Sequence, residues 1–312
     1  MSDKILIIQL RPGLGDTCMF LPRCHEIAKA NPNHEIYLLT KGNTKADQLL
    51  KYDPYIKNIV FIDKHKKKIS FYSLFKFFKI NKFKKVYSYQ YGPKYLKYIL
   101  LSKLTFVKEL YYYGIFKKKE DMVKKSISAN QLWLNIKIEK FEGNLYLEKR
   151  TKRNSKRIVI GLGASGDNKR WPIKYYLELI QKLNYLGQFD FILAGGPGEK
   201  ELINQITKLD IKGKFISLEE LNVEDSIKEI DGSYFFVGND TGFMHVSACL
   251  GIKTFCLYGD TPSEDSKYNK NIYPILPPGI KETYHKDLSM NKIKSNYVYE
   301  LILKELITIT NL

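Results

Sequence analysis

The first half of the chain alternates short apolar runs with longer segments of mixed polarity. Apolar, β-branched runs typical of buried strands lie near residues 4–10, 35–40, 58–62, 84–89 and 107–113. Helical segments lie between them: Phe71–Ile80 is amphipathic with lysines on one side, and Asp121–Ile136 is predicted to be a further helix. Strands that alternate with helices predict a parallel sheet with helices packed on its faces.

The second half repeats this alternation after a polar, basic stretch, Lys149–Lys156, which we interpret as a linker. Its strands are predicted at Arg157–Gly161, Phe189–Ala194, Ser233–Val237 and Thr254–Tyr258. The 312 residues are more than one ordinary core holds and suit two domains of about 150 residues each. We predict doubly wound, Rossmann-like α/β domains at 1–150 and 151–290, followed by a terminal segment, 291–312, that contains the helix Lys292–Ile309.

The most informative turn follows the strand Ser233–Val237 and reads Gly-Asn-Asp-Thr-Gly-Phe-Met-His over residues 238–245. A strand that ends in a small polar turn before a helix presents free backbone N–H groups to an anion. Asp240 and Thr241 can cap that helix, Gly242 lets a ligand approach the backbone, and His245 lies one turn further on. The turn suits a nucleotide diphosphate, although a capped helix with a buried histidine would give the same pattern.

Two further turns follow the strands Arg157–Gly161 and Phe189–Ala194. After the first come Ser165, whose hydroxyl could hold phosphate oxygens with the turn amides, and Lys169, which could supply positive charge. Pro172 then fits the first position of the next helix. The second turn, Gly-Gly-Pro-Gly-Glu over 195–199, ends in Glu199, a carboxylate that could accept hydrogen bonds from ribose hydroxyls. Three such turns predict a ligand site at the carboxyl ends of one parallel sheet.

The N-terminal strand leads directly into a glycine turn, Arg-Pro-Gly-Leu-Gly-Asp over residues 11–16. This turn is not a dinucleotide fingerprint, because no glycine follows three residues after Gly15. Asp16 begins the next helix. It could simply cap that helix, or it could be a carboxylate directed across a cleft.

Together these segments resemble family 9 glycosyltransferases, the ADP-heptose:lipopolysaccharide heptosyltransferase family. The family's "GD" turn, "GAS…KRWP" segment, "GGPGE" turn and "NDTG/SGxxH" turn are matched in order by Gly15–Asp16, Gly163–Pro172, Gly195–Glu199 and Asn239–His245. The segment from Asp53 to Asp63 is also similar to the family's second-to-third strand connection. The resemblance implies two Rossmann-like domains facing a cleft, the arrangement called GT-B, with the last helix packing back towards the first domain.

The resemblance also implies the chemistry: inverting transfer of a heptose or related sugar from a nucleotide diphosphate, ADP-heptose by the family's pattern, to lipopolysaccharide or another surface glycan. Asp16 is then the general base. Donor binding is assigned to Ser165, Lys169, Glu199, Asp240, Thr241, Gly242 and His245, and acceptor binding to Arg11, Lys66, Lys67 and Lys68. No Asp-x-Asp pair occurs in the chain, so we predict no metal ion and no cofactor. Two features depart from the family: Gly161-Leu162-Gly163 replaces "HPG", and the first domain is short and rich in Lys, Tyr and Phe.

The formal net charge of +18 is concentrated in one segment. Between Lys64 and Lys119 there are 16 lysines and one acidic residue, Glu109, with many interleaved aromatic residues. Such a surface attracts an acidic glycan or an anionic membrane, and it could equally be a solvated lysine face. Nucleic acid is not expected as a partner, because no recognition motif accompanies the charge.

The remaining features concern the cellular compartment. Cys18, Cys24, Cys249 and Cys256 have no CxxC spacing and lie in apolar surroundings, which favours reduced thiols. No signal peptide and no 18-residue apolar run is visible. We therefore expect a cytoplasmic protein that could be peripheral on the inner face of the membrane. The alternative functions are a GT-B nucleotide-sugar epimerase or hydrolase, and a non-catalytic polyanion-binding protein.

Overall fold

The computed structural model describes residues 3–63, 69–89, 95–113, 122–138 and 143–310. The chain divides into two compact units, Met1–Glu148 and Lys149–Leu312. Among the described residues, no helix combines the length and apolarity needed to cross a bilayer.

The first unit is built on a five-stranded parallel sheet. Its strands are β1 (Lys4–Ile8), β2 (Glu35–Thr40), β3 (Ile56–Phe61), β4 (Lys85–Ser88) and β5 (Glu109–Tyr112), and its helices are α1 (Leu14–Lys29), α2 (Ala46–Leu49), α3 (Phe71–Asn81), α4 (Leu96–Leu104) and α5 (Met122–Leu134). The strand order β3-β2-β1-β4-β5 reverses direction at β1. Right-handed crossovers then place α1 and α2 on one face of the sheet and α3 and α4 on the other.

The pattern of β1 explains how this sheet holds both helical layers. Residues 5–8 are all fully buried, because apolar side chains of a central parallel strand face helices on both sides. Leu6 and Ile8 contribute to a core cluster with Leu74 and Phe78 of α3 and with Leu101 of α4. The five strands predicted from the sequence are confirmed to within about two residues at most ends.

The second unit contains a six-stranded parallel sheet. Its strands are β6 (Asn154–Gly161), β7 (Asp190–Ala194), β8 (Phe215–Ser217), β9 (Ser233–Asn239), β10 (Lys253–Leu257) and β11 (Ile272–Ile275), and its helices are α6 (Ile173–Leu186), α7 (Lys200–Ile206), α8 (Val223–Ile230), α9 (Gly242–Cys249) and α10 (Ser295–Thr310). The order is β11-β10-β9-β6-β7-β8. The edge strand β11 lies beyond the alternation predicted from the sequence; it is short and contains Pro274, which a sheet tolerates at an edge.

Two local predictions need correction. Pro172 is the N-cap of α6 and not its first residue. The basic stretch interpreted as a linker is anchored to the second unit: Arg150 binds the Asp231 carboxylate and the Leu250 carbonyl, and β6 begins at Asn154. The terminal helix α10 packs on α6, and Val298 and Ile302 are part of the core of the second unit. Its packing towards the first unit stays a prediction.

Two glycines let β6 and β9 come together at their carboxyl ends. Gly161 and Gly238 are partners in the parallel register. A Cβ built on Gly238 would lie 2.2 Å from the Gly161 carbonyl oxygen and 2.5 Å from its Cα. Because both contacts are to backbone, no side-chain rotation could relieve them, and position 238 requires glycine.

We expect Gly238→Ala to lower the free energy of unfolding by at least about 1–3 kcal/mol, since the added methyl group overpacks a rigid contact. Urea unfolding of the purified protein measures this effect. Gly198→Ala is the matched control, because a Cβ there would meet nothing within 4 Å. Equal stability of the two variants would show that the strand ends are not in close contact.

Candidate functional site

The turns after β6, β7 and β9 of the second unit lie at one edge of its sheet, as the sequence predicts for a parallel arrangement. Together they define a polar site at the carboxyl ends of β6 and β9.

Asn239, at the end of β9, joins the two strand ends. Its side chain is fully buried. It accepts a hydrogen bond from the Trp171 amide at 3.0 Å and donates to the carbonyls of Leu162 and Gly163, both at 3.1 Å. Both ends of the amide group thus bind the segment after β6, so Asn239 fixes the path of the segment that carries Ser165 and Lys169.

Asp240 and His245 form the polar centre of the site. The Nε2 atom of His245 lies 3.3 Å from Oδ1 of Asp240, and its Nδ1 atom lies 2.7 Å from the Tyr268 hydroxyl. His245 and Tyr268 are buried. With both ring nitrogens in contact with partners, the imidazole has a fixed orientation.

The environment keeps Asp240 ionised. Although 24% of its side chain is exposed, desolvation by the surrounding protein would raise its pKa. The hydrogen bond and charge of His245, a hydrogen bond from Thr261 and the positive charge of Lys169 outweigh this effect and lower the pKa below its ordinary value of 3.8. The stabilisation from these contacts is therefore present above about pH 3.8 and is lost as the pH falls through the lowered pKa.

The helix α9 begins directly beside Asp240. Thr241 is its N-cap, with extended backbone, and Gly242 is its first residue. The predicted side-chain cap is wrong: Thr241 makes no capping hydrogen bond, and the Asp240 carboxylate contacts His245. The Thr241 hydroxyl lies instead next to Gly163, where an added Cβ would be 3.0 Å away. The first-turn N–H groups of α9 have no side-chain cap from Thr241, which is the arrangement that suits an anion.

The two remaining turns contribute unequally. Ser165 is exposed. Lys169 ends a short 3-10 turn, Asp167–Lys169, and lies close enough to Asp240 for its positive charge to lower the pKa of that carboxyl group. Glu199 accepts hydrogen bonds from the Gly196 amide at 3.0 Å and from Arg170 at 3.1 Å. These contacts use both carboxylate oxygens of Glu199 to hold its own turn and the Arg170 segment. Its assignment to the donor stays a prediction.

In the first unit, Asp16 lies in the first turn of α1, just beyond the carboxyl end of β1. It does not cap the helix; Gly13 is the N-cap, with a φ of 97° that glycine adopts readily. The Asp16 carboxylate forms an ion pair with Nε of Arg11 at 2.7 Å, and 24% of its side chain is exposed. Two predicted residues of opposite charge thus meet at one strand end. Lys66, Lys67 and Lys68 lie outside the described residues.

Comparison with known proteins agrees with this fold and these motifs. The profile of glycosyltransferase family 9 (heptosyltransferase) matches residues 79–290. The chain belongs to this family. It is therefore a glycosyltransferase and not the non-catalytic polyanion-binding protein that the charge pattern alone allowed.

The sequence identity between this chain and individual relatives is low. The chain is 27% identical over 274 residues to lipooligosaccharide heptosyltransferase 2 of Campylobacter jejuni subsp. jejuni. The aligned region covers 82% of this chain and 81% of that protein. The solved structure of E. coli heptosyltransferase WaaC with ADP superposes with a TM-score of 0.76 at 18% identity, covering 96% and 99% of the two chains. The solved structure of a family 9 glycosyltransferase from Veillonella parvula superposes with a TM-score of 0.78 at 18% identity, and the superposition covers 98% of each chain. These likenesses show the GT-B fold, with two Rossmann-like domains.

Sequence reasoning missed three residues of the site in this glycosyltransferase: Asn239, Thr261 and Tyr268. Asn239 lies within the turn 238–245, and its amide side chain can join two backbone segments. Thr261 and Tyr268 follow β10 and carry no local motif, so only tertiary structure brings them to Asp240 and His245. Within the described part of the chain, no group of three or more His, Cys, Asp and Glu is placed to hold a metal ion.

We expect Thr241→Ala to weaken binding of ADP, and His245→Ala to weaken binding of ADP-heptose, more than either change lowers thermal stability. A lost cap would cost about 1 kcal/mol of folding free energy, but Thr241 makes no such bond, so its removal costs little stability. Parallel melting curves and calorimetric titrations with ADP and with ADP-heptose measure both quantities. Loss of stability without loss of binding would mean that these residues only support the fold.

Proposed function

We propose that this glycosyltransferase transfers a heptose or a related sugar from a nucleotide diphosphate donor, ADP-heptose by the family's pattern, to lipopolysaccharide or another surface glycan. The observation that carries the proposal is the convergence of Lys169, the N-terminus of α9 and the ionised Asp240 at one sheet edge. The names of the relatives support the choice of sugar: the Campylobacter jejuni protein is called a lipooligosaccharide heptosyltransferase, and WaaC was solved with ADP and with ADP-2-deoxy-2-fluoro heptose.

The donor half of the mechanism is assigned to the second unit. When the glycosidic bond forms, the bond from the anomeric carbon to the diphosphate breaks, and negative charge grows on the leaving diphosphate. The Lys169 ammonium and the first-turn N–H groups of α9 stabilise that charge. Because these groups supply the positive charge themselves and the chain has no Asp-x-Asp pair, the proposed reaction uses no metal ion.

Asp240 has a different role, since a carboxylate repels a diphosphate. It is held ionised by His245, Thr261 and Lys169, and an ionised carboxylate is a strong hydrogen-bond acceptor. We assign Asp240 to hydroxyl groups of the donor sugar, with His245 holding the carboxylate in place. Ser165 and Thr241 are assigned to phosphate oxygens, and Glu199 to the ribose.

The acceptor half is assigned to the first unit. Asp16 removes the proton from the acceptor hydroxyl as its oxygen attacks the anomeric carbon, which inverts the configuration there. The ion pair with Arg11 holds the carboxylate at the end of β1. Arg11, with Lys66, Lys67 and Lys68, is further assigned to acidic groups of the acceptor. The reaction is proposed to take place in the cytoplasm, at the inner face of the membrane.

We expect Lys169→Ala to weaken ADP binding by about ten-fold or more, because a hydrogen bond to a charged group contributes roughly 1.5–3 kcal/mol. Isothermal titration calorimetry measures the affinity. Lys208→Ala, an exposed lysine far along the chain in the same unit, is the matched control and should bind as the parent does. Unchanged affinity of Lys169→Ala would remove this lysine from the donor site.

We expect Asp16→Asn to fold and bind ADP normally while kcat falls by roughly 10²–10⁴, the usual contribution of a general base. Transfer from ADP-heptose to a heptose-deficient lipopolysaccharide acceptor, with both substrates saturating, measures kcat. Asp47→Asn, an exposed carboxylate in the first turn of α2, controls for loss of charge.

Three results would contradict this assignment. Near-normal kcat in Asp16→Asn would require a different base. Consumption of ADP-heptose at the same rate without acceptor would favour a hydrolase or an epimerase. Absence of ADP binding by the parent protein would contradict the donor site as a whole.

A further inference from the structure

The outward side of α3 and α4 is unusually apolar. The two helices pack side by side, and their inward residues belong to the core of the first unit. Among the described residues, seven of the fifteen exposed large hydrophobic side chains fall within residues 71–106: Phe71, Tyr72, Ile80, Leu96, Leu100, Leu104 and Phe106. Single exposed apolar side chains are ordinary, but a concentration on two adjacent helices marks an interaction surface. We call this surface the α3–α4 face.

The same face is strongly basic. Exposed lysines lie among its apolar residues, at positions 76, 79, 82, 97, 103 and 108. In the described part of the chain, the Asp3 carboxylate is paired with Lys84 and the Glu109 carboxylate with Lys85. Those pairs neutralise the acids, so the α3–α4 face carries a large excess of positive charge.

One residue projects from the edge of this face. Phe106 follows α4 and is 89% exposed, with a φ of 57°. A bulky residue rarely adopts this left-handed conformation, which costs free energy. The turn is nevertheless held by hydrogen bonds from the amides of Phe106 and Val107 to the end of α4. The fold thus holds an aromatic ring out in solvent on a strained turn.

A cavity of about 530 Å³ lies beside Phe106, where β1, β4 and β5 begin. Its apolar lining comes from Phe75, Phe83, Leu104 and Phe106. Its polar lining includes Lys79, Lys82, Lys108 and the Asp3–Lys84 ion pair. An apolar recess with lysines around it is complementary to an amphiphile with a negatively charged head. This end of the sheet is opposite to the strand end that carries Asp16.

We propose that the α3–α4 face docks this protein on a bilayer of anionic phospholipid. A soluble polyanion would account for the lysines but gains nothing from exposed Leu100, Leu104 and Phe106. A bilayer offers phosphates to the lysines and, just below them, an apolar layer to those side chains. This proposal does not depend on the sugar transferred or on the assignment of the catalytic base.

The test is co-sedimentation with vesicles of equal parts phosphatidylglycerol and phosphatidylcholine, compared with vesicles of phosphatidylcholine alone. We expect binding to the first, weakened by salt, and little to the second. Replacing Lys79, Lys103 and Lys108 together with Gln should lower the partition coefficient by at least about ten-fold, since each lysine near an anionic surface contributes roughly five-fold. Phe106→Asn, which tolerates the left-handed backbone, should also weaken binding.

Matched controls lie in the second unit. Lys208, Lys212 and Lys214 are exposed lysines, and their joint replacement by Gln removes the same charge. Tyr185→Ser removes an aromatic side chain that is 85% exposed. Both control proteins should bind vesicles as the parent does. Melting curves check the folding of every variant, and ADP titration checks the donor site separately, so failure of the donor site and failure of docking give different results.

Several outcomes would overturn the proposal. Equal binding to the two kinds of vesicle would mean that charge plays no part. Equal loss in the triple variant and its control would mean that only net charge matters. Failure to bind vesicles, together with heparin binding that the triple variant loses, would identify a soluble polyanion as the occupant.

Discussion

The candidate donor site depends on the close approach of β6 and β9. Gly161 and Gly238 are partners at the carboxyl ends of these strands, where a methyl group added at Gly238 would overlap backbone atoms of Gly161. Asn239 follows at once and ties the β9 end to the β6 turn through three hydrogen bonds. The glycines allow the contact and the asparagine locks it. Without both, the turn that carries Ser165 and Lys169 would have no fixed position relative to Asp240.

The electrostatics of the site follow from that geometry. An isolated carboxylate beside a helix N-terminus would compete with a diphosphate for the same N–H groups. Here the Asp240 carboxylate turns to His245, whose other nitrogen is held by Tyr268. The α9 N-terminus receives no side-chain cap from Thr241. One short segment can therefore present the Asp240 carboxylate to hydroxyl groups and the N-terminus of α9 to phosphate. The two groups are neighbours, but their opposite charges do not neutralise each other.

The first unit separates two kinds of surface on one sheet. Its carboxyl edge carries the Arg11–Asp16 ion pair, as expected for a site at the ends of parallel strands. Its amino edge and the outward side of α3 and α4 carry lysines and exposed apolar side chains. These exposed apolar groups lie outside the buried core cluster of the unit, and Phe106 is held in a strained conformation. The free-energy cost of this backbone strain is consistent with a surface that contacts a lipid bilayer.

The sequence by itself determined the two α/β units, most strand positions and the three ligand-type turns. These properties are local, because strand periodicity, glycine turns and helix starts depend on residues that are adjacent in the chain. Parallel strands then bring their carboxyl ends to one edge of the sheet. Tertiary structure alone decided which groups meet there. Asn239 spans from β9 to the β6 turn, Tyr268 reaches His245 from beyond β10, and Glu199 is engaged by Arg170. Such pairings depend on how strands far apart in the chain are placed side by side, which no local pattern encodes.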